Sequence, residues 1–152
     1  MTKNLNILAQ IFLFICYFSC NQAPPKDLGI KDISGKKVLR NCFQSSDCIS
    51  SYAKDKSLFL EPLRYKTMKN DAYKLLLEVL NRDSNGTIVS KNENYIHITY
   101  KNFLGFIDDI EFSFHQEGLI NFTASSRKSI PLFSSNRKRL SQITFYFYQN
   151  NL

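Results

Sequence analysis

His97 and His115 are the two histidines of the chain, and both lie where polar and apolar residues alternate. Folding residues 109–115 back on 95–101 about Gly105 sets His97 roughly across from Glu111 and Ser113, with His115 a diagonal neighbour on the same polar face. Two imidazoles and a carboxylate so placed could hold a metal or serve acid–base chemistry in a hydrolase. The same alternation is also what any half-solvated antiparallel sheet displays. Asp108 and Asp109, with Glu111, form an acidic motif that could bind a cation or substrate. The alternative is that the two aspartates shape the start of a strand by side-chain to backbone hydrogen bonds. A second cluster, Ser125, Ser126, Arg127, Asn136 and Arg137, puts hydroxyls and guanidinium groups near a helix start, which suits a carboxylate or phosphate. Its structural alternative is an internal bridge from Arg127 to Asp108 or Asp109. The chain has no Gly-x-Ser-x-Gly elbow, phosphate-binding glycine loop, His-Glu-x-x-His or paired zinc cysteines. It therefore points to no cofactor and no metal, and the reading leans away from an enzyme.

These residues need a scaffold. From Asn70 to Arg82, Ala72, Leu75, Leu76, Val79 and Leu80 recur at helical spacing, with Asp71 in the first turn and Glu78 four residues before Arg82. Asp83-Ser84-Asn85-Gly86 breaks the helix, and the period changes from that of a helix to that of a strand. Thr87–Lys91 and Tyr95–Lys101 read as strands joined across Asn92-Glu93-Asn94; Asp109–His115 and Leu119–Ser125 follow, joined by Gln116-Glu117-Gly118. Each strand has one greasy face: Ile96, Ile98 and Tyr100; Ile110, Phe112 and Phe114; Ile120, Phe122 and Ala124. A second helix from about Asn136, with Leu140, Ile143 and Phe147 inward, completes the cover, while Phe145-Tyr146-Phe147-Tyr148 could equally be a last strand. The expectation is a two-layer α+β fold, a four-stranded antiparallel meander covered on one face by two helices.

At 152 residues with 43% hydrophobic side chains and 13 phenylalanines, the chain suffices for one compact domain and is neither disordered nor collagen-like. Its N-terminus differs from the rest. Lys3 is followed by Ile7 to Phe18, apolar apart from Gln10, and then by Ser19-Cys20. That is a secretory signal layout, with an apolar core too short to cross a ~30 Å hydrocarbon layer as a helix. Cys20 stands where bacterial lipoprotein signals place the cysteine that takes up lipid, although Tyr17 and Phe18 replace the usual leucine and small residue. An ordinary secretory signal cleaved nearby is the alternative. The expected organisation is a signal peptide over 1–19, a tether over 20–41 and one domain over 42–148, held in the cell envelope by lipid on Cys20.

With Cys16 in the signal and Cys20 lipidated, Cys42 and Cys48 remain, and outside the reducing cytoplasm a local disulfide is their natural pairing. Two thiols alone are too few for zinc, and five intervening residues do not make a redox motif. The formal charge is +7. After Glu117 there is no acidic residue, while Arg127, Lys128, Arg137, Lys138 and Arg139 follow. For an exported protein such a tail favours anionic lipid headgroups or acidic glycans, and nucleic acid is disfavoured by the signal; ordinary solvated charges are the bland reading.

Several runs taken together resemble a known family. They are Tyr95-Ile96-His97-Ile98-Thr99-Tyr100, Leu104-Gly105-Phe106-Ile107-Asp108-Asp109-Ile110-Glu111-Phe112, Ala124-Ser125-Ser126-Arg127 and Asn136-Arg137-Lys138-Arg139-Leu140. With Cys42, Cys48, Ser50-Ser51 and Glu61-Pro62-Leu63, they resemble the bacterial and plastid family catalogued as domain of unknown function 1499, over most of Cys42 to Ile143. The chain departs from that pattern after Arg127: where the family tends to have Gly, Asp and Gly, it has Ser129, Leu132 and Ser134. The resemblance implies a small envelope or membrane-associated domain and supplies no reaction.

Overall fold

The computed structural model describes residue 10 and residues 22–42, 47–128 and 136–150. Apart from residue 10, the leader lies outside the described residues, as do its proposed cleavage position and Cys20. Ten elements follow in order: β1 (Lys31–Ile33), β2 (Lys36–Val38), β3 (Ile49–Ser50), β4 (Leu63–Arg64), α1 (Lys69–Leu80), β5 (Gly86–Asn92), β6 (Tyr95–Lys101), β7 (Ile107–Ser113), β8 (Leu119–Ser126) and α2 (Asn136–Gln149).

The expected meander is present as β5 to β8, each strand antiparallel to the next. It is not the whole sheet. Among the described residues the sheet has six strands, because β3 and β4 both pair with the outer edge of β8, Ile49 opposite Ala124 and Leu63 opposite Ile120. Each of these strands is two residues long, too short for alternation to announce it. At the other edge β5 carries a bulge between Ile88 and Ser90 that leaves Val89 unpaired. Such irregularity blunts an edge against further strand addition.

The greasy face is as the pattern requires. Ile96, Ile98, Tyr100, Ile110, Phe112, Phe122 and Ala124 are fully enclosed beneath Ala72, Leu76, Val79 and Leu80 of α1 and Leu140, Ile143 and Phe147 of α2. The run Phe145–Tyr148 continues α2 instead of forming a strand, since Phe147 falls one helical turn beyond Ile143 and packs on the same face. Close packing also fixes a glycine at the start of β5: a Cβ on Gly86 would lie 2.9 Å from the Tyr100 ring.

The polar face departs from expectation. It is not solvated: Asp109 and Glu111 are both 0% exposed, and His97, Ser113, Asn121, Thr123 and Ser125 are buried beside them. The cover is the described part of the segment expected as a tether. Residues 31–38 form a two-stranded hairpin, Leu39 is buried, and polar groups from Gln22 to Arg40 bond to the sheet. A carboxylate shut away from water must be paired, and this segment supplies partners that the sheet's own strands lack.

Candidate functional site

Two ion-pair sets lie side by side on the covered face. In the first, the Asp109 carboxylate accepts from Arg127 twice, Nε to Oδ2 at 2.8 Å and Nη2 to Oδ1 at 3.0 Å. Its Oδ1 also lies 2.8 Å from His97 Nε2. In the second, Glu111 accepts from the Tyr95 hydroxyl at 2.7 Å, the Gly29 amide at 2.6 Å and Arg40 Nε at 3.1 Å. Arg40 also donates to the Ser125 hydroxyl, and its backbone carbonyl accepts from the Thr123 hydroxyl at 3.0 Å.

The electrostatics follow the pairing. Burial opposes ionisation of Asp109, but the hydrogen bonds from His97 and Arg127, reinforced by the Arg127 charge, hold its carboxyl below the usual carboxylate value. The same hydrogen bond to Asp109 raises the Arg127 guanidinium further. Desolvation, with the Glu111 charge beside it, pushes the Tyr95 phenol well above its usual value, so Tyr95 serves Glu111 as a donor.

The hydrolytic set His97, Glu111 and His115 is therefore not gathered on one ligand position. His97 does stand opposite Glu111 in the strand register, yet its ring bonds to Asp109, because Glu111 is surrounded by Tyr95, Gly29 and Arg40. His115 is exposed and its Nδ1 is 3.1 Å from the Ser113 hydroxyl. Burial first, and then Lys37 and Lys69, lower its affinity for a proton. Among the described residues no three His, Cys, Asp or Glu side chains converge as metal ligands do.

Asp108 and Asp109 are the second and third residues of β7 and point to opposite faces, and Asp109 spends its carboxylate on the His97 and Arg127 side chains. Asp108 accepts from the Ser126 hydroxyl at 2.6 Å and lies 3.4 Å from Arg139 Nη2. Arg139 stacks over the Tyr100 ring at 4.2 Å and lies 3.6 Å from Asp83, tying α2 to the sheet. The anion cluster is likewise divided. Asn136 Nδ2 donates to the Asp47 carbonyl at 2.8 Å and to the Ser126 hydroxyl at 3.2 Å. Arg137 donates to the carbonyls of Ser57 and Phe59 at 2.6 and 3.1 Å, while Arg127 belongs to Asp109. The Asp47 carboxylate and Asn136 Oδ1 are buried without a hydrogen-bond partner among the described residues.

A cleft of about 360 Å³ opens where the covering segment crosses the edge of β8, lined by Asp27, Arg40, Asn41, Ser125, Ser126 and Arg127. Arg40 is the residue that sequence reasoning missed. It stands at the end of a Lys-, Asp- and Gly-rich stretch without periodicity, and only its place two residues before Cys42 could have drawn notice. Cys42 and Cys48 form the disulfide expected of them, close to this cleft through Cys48.

The sequence profile of a family described as protein of unknown function (DUF1499) matches residues 38–146, well over half of the chain. The chain belongs to the DUF1499 family. The charged residues of both sets fall within the matched DUF1499 region, Arg40 near its start and Arg127 toward its end. The part of the cover that precedes residue 38, including Gln22 and Gly29, lies outside it. No curated protein and no solved structure matches the chain. Among the described residues no helix is long and apolar enough to cross a membrane.

Proposed function

We propose that this protein is exported, lipidated at Cys20 and held in the cell envelope, where its DUF1499 domain binds or scaffolds a partner at the membrane surface without chemistry of its own. The observation that carries the reading is the leader: Lys3, the apolar run Ile7–Phe18 and Ser19-Cys20 in the order that lipoprotein processing uses. The several acyl chains of a bacterial lipoprotein make such anchoring durable. Support for a non-catalytic domain comes from the covered polar face, whose Asp109, Glu111 and His97 each engage a neighbouring side chain. Detergent phase partitioning of the wild type against Cys20→Ala tests the anchor. The wild type is expected in the detergent phase and the variant in the aqueous phase; equal aqueous recovery of both overturns the reading.

A second reading, recognition of an anionic headgroup or glycan, is favoured by the cleft that Arg40 and Arg127 line with Ser125 and Ser126. In this reading Arg40 takes the place expected of Arg137. Phosphatidylglycerol vesicles should retain the wild type more strongly than phosphatidylcholine vesicles do, and retention that ignores headgroup charge removes the reading.

A further inference from the structure

Gln22 is the second residue after Cys20 and is bonded to the sheet through three groups. Its Oε1 accepts from the Ile107 amide at 2.9 Å, its Nε2 donates to the Gly105 carbonyl at 3.1 Å, and its carbonyl accepts from Arg127 at 3.0 Å. Two peptide units separate the Cα atoms of Cys20 and Gln22, a reach of at most about 7.6 Å. An acyl anchor on Cys20 consequently holds the domain close to the turn that joins β6 to β7.

That turn is Asn102-Phe103-Leu104-Gly105-Phe106, and it is closed by its own hydrogen bonds. The Asn102 side-chain oxygen accepts from the backbone amides of Leu104 at 2.9 Å and Phe106 at 3.0 Å, while the Asn102 backbone N–H donates to the Phe106 carbonyl at 3.0 Å. Gly105 closes it with φ of 84°, a conformation that favours glycine. The turn holds Phe103 at 89% exposure, the most exposed large apolar side chain among the described residues. Leu104 and Phe106 are half-buried beside it, and Lys101 is exposed at its base.

We propose that the β6–β7 turn is a membrane-contact element: Phe103, with Leu104 and Phe106, enters the headgroup and acyl boundary of the bilayer that carries the Cys20 lipid. The partner is the lipid surface, because a short covalent link brings it to this turn. An aromatic ring flanked by a lysine is also the composition that settles at such a boundary. The domain then stands with β6 running away from the membrane and the Asn92–Asn94 turn outermost, about 26 Å off at ~3.3 Å per residue.

The inference rests on the anchored reading, and the experiment separates the two. The chain contains no tryptophan, so Phe103→Trp provides a single reporter, Leu104→Trp a second, and Glu93→Trp a control at the far turn. Each full-length variant is expressed, processed by the host, purified in detergent and returned to phosphatidylcholine–phosphatidylglycerol vesicles with or without brominated acyl chains. Mass spectrometry of the amino terminus is read on the same samples. The expected result is an acylated terminus, blue-shifted emission at positions 103 and 104, and bromine quenching at least about twofold stronger there than at 93. An acylated terminus with quenching no stronger at 103 and 104 than at 93 overturns the membrane contact and leaves the anchor standing. An unacylated terminus overturns both.

Discussion

Asp109 and Arg127 meet side-on across β7 and the end of β8, the carboxylate fully enclosed and the arginine side chain 13% exposed, joined by two hydrogen bonds of 2.8 and 3.0 Å from Nε and Nη2. Breaking a buried pair from one side costs more than the pair contributes, since the remaining charge stays in a poor solvent. Arg127→Ala is expected to lower unfolding free energy by about 3 kcal/mol in urea titrations. The double variant Arg127→Met with Asp109→Leu should recover part of that loss. A single variant within about 0.5 kcal/mol of wild type would show that Asp109 has solvent access.

The lowered Asp109 carboxyl also sets a pH dependence. Its folded value lies below the 3.8 of the free side chain, so the unfolded chain binds this proton first as pH falls. The stabilisation is complete above the free value, declines below it, and is gone once pH has passed through the folded value. Denaturant midpoints of wild type should therefore fall on acidification below about pH 4, and Asp109→Asn should flatten that acid limb. Parallel acid limbs in the two proteins would contradict the assignment.

The covering segment is held by Arg40, which is 9% exposed and bonded to Glu111. Arg40→Gln removes the charge that faces Glu111 and is expected to loosen the segment before the sheet. The readout is amide exchange at Gly29, whose N–H donates to the same carboxylate at 2.6 Å. Exchange there should quicken by about tenfold or more while the β6–β7 amides keep their protection. Unchanged exchange at Gly29 would mean that the hairpin is fixed by other contacts.

Cys42 and Cys48 close a short loop ahead of β3. On the chain-entropy relation, a loop of this length stabilises by about 2 kcal/mol. Cys42→Ser with Cys48→Ser should lower stability by that amount, and reduction of the wild type should reproduce the loss. Agreement between reduced wild type and double variant separates the covalent link from the packing of Cys48, which is 4% exposed.

The amino-acid sequence by itself determined the meander, both helices and the inward residues from Leu76 to Phe147, because period-two and period-3.6 patterns are local records of which face meets the core. It also pointed to the disulfide, given two cysteines close together beyond a leader that reads as an export signal. Tertiary structure alone decided what the polar face does. His97 stands opposite Glu111 but bonds to Asp109, because Arg40, 71 residues before Glu111, reaches that carboxylate first. Nothing local marks Arg40 as a partner: a guanidinium in a charged stretch looks the same whether it meets solvent or a buried carboxylate. The two-residue strands β3 and β4 were equally hidden, since they exist only where β8 offers an open edge. Local periodicity reports burial, whereas the pairing of buried charges depends on which distant segments the folded chain brings over them.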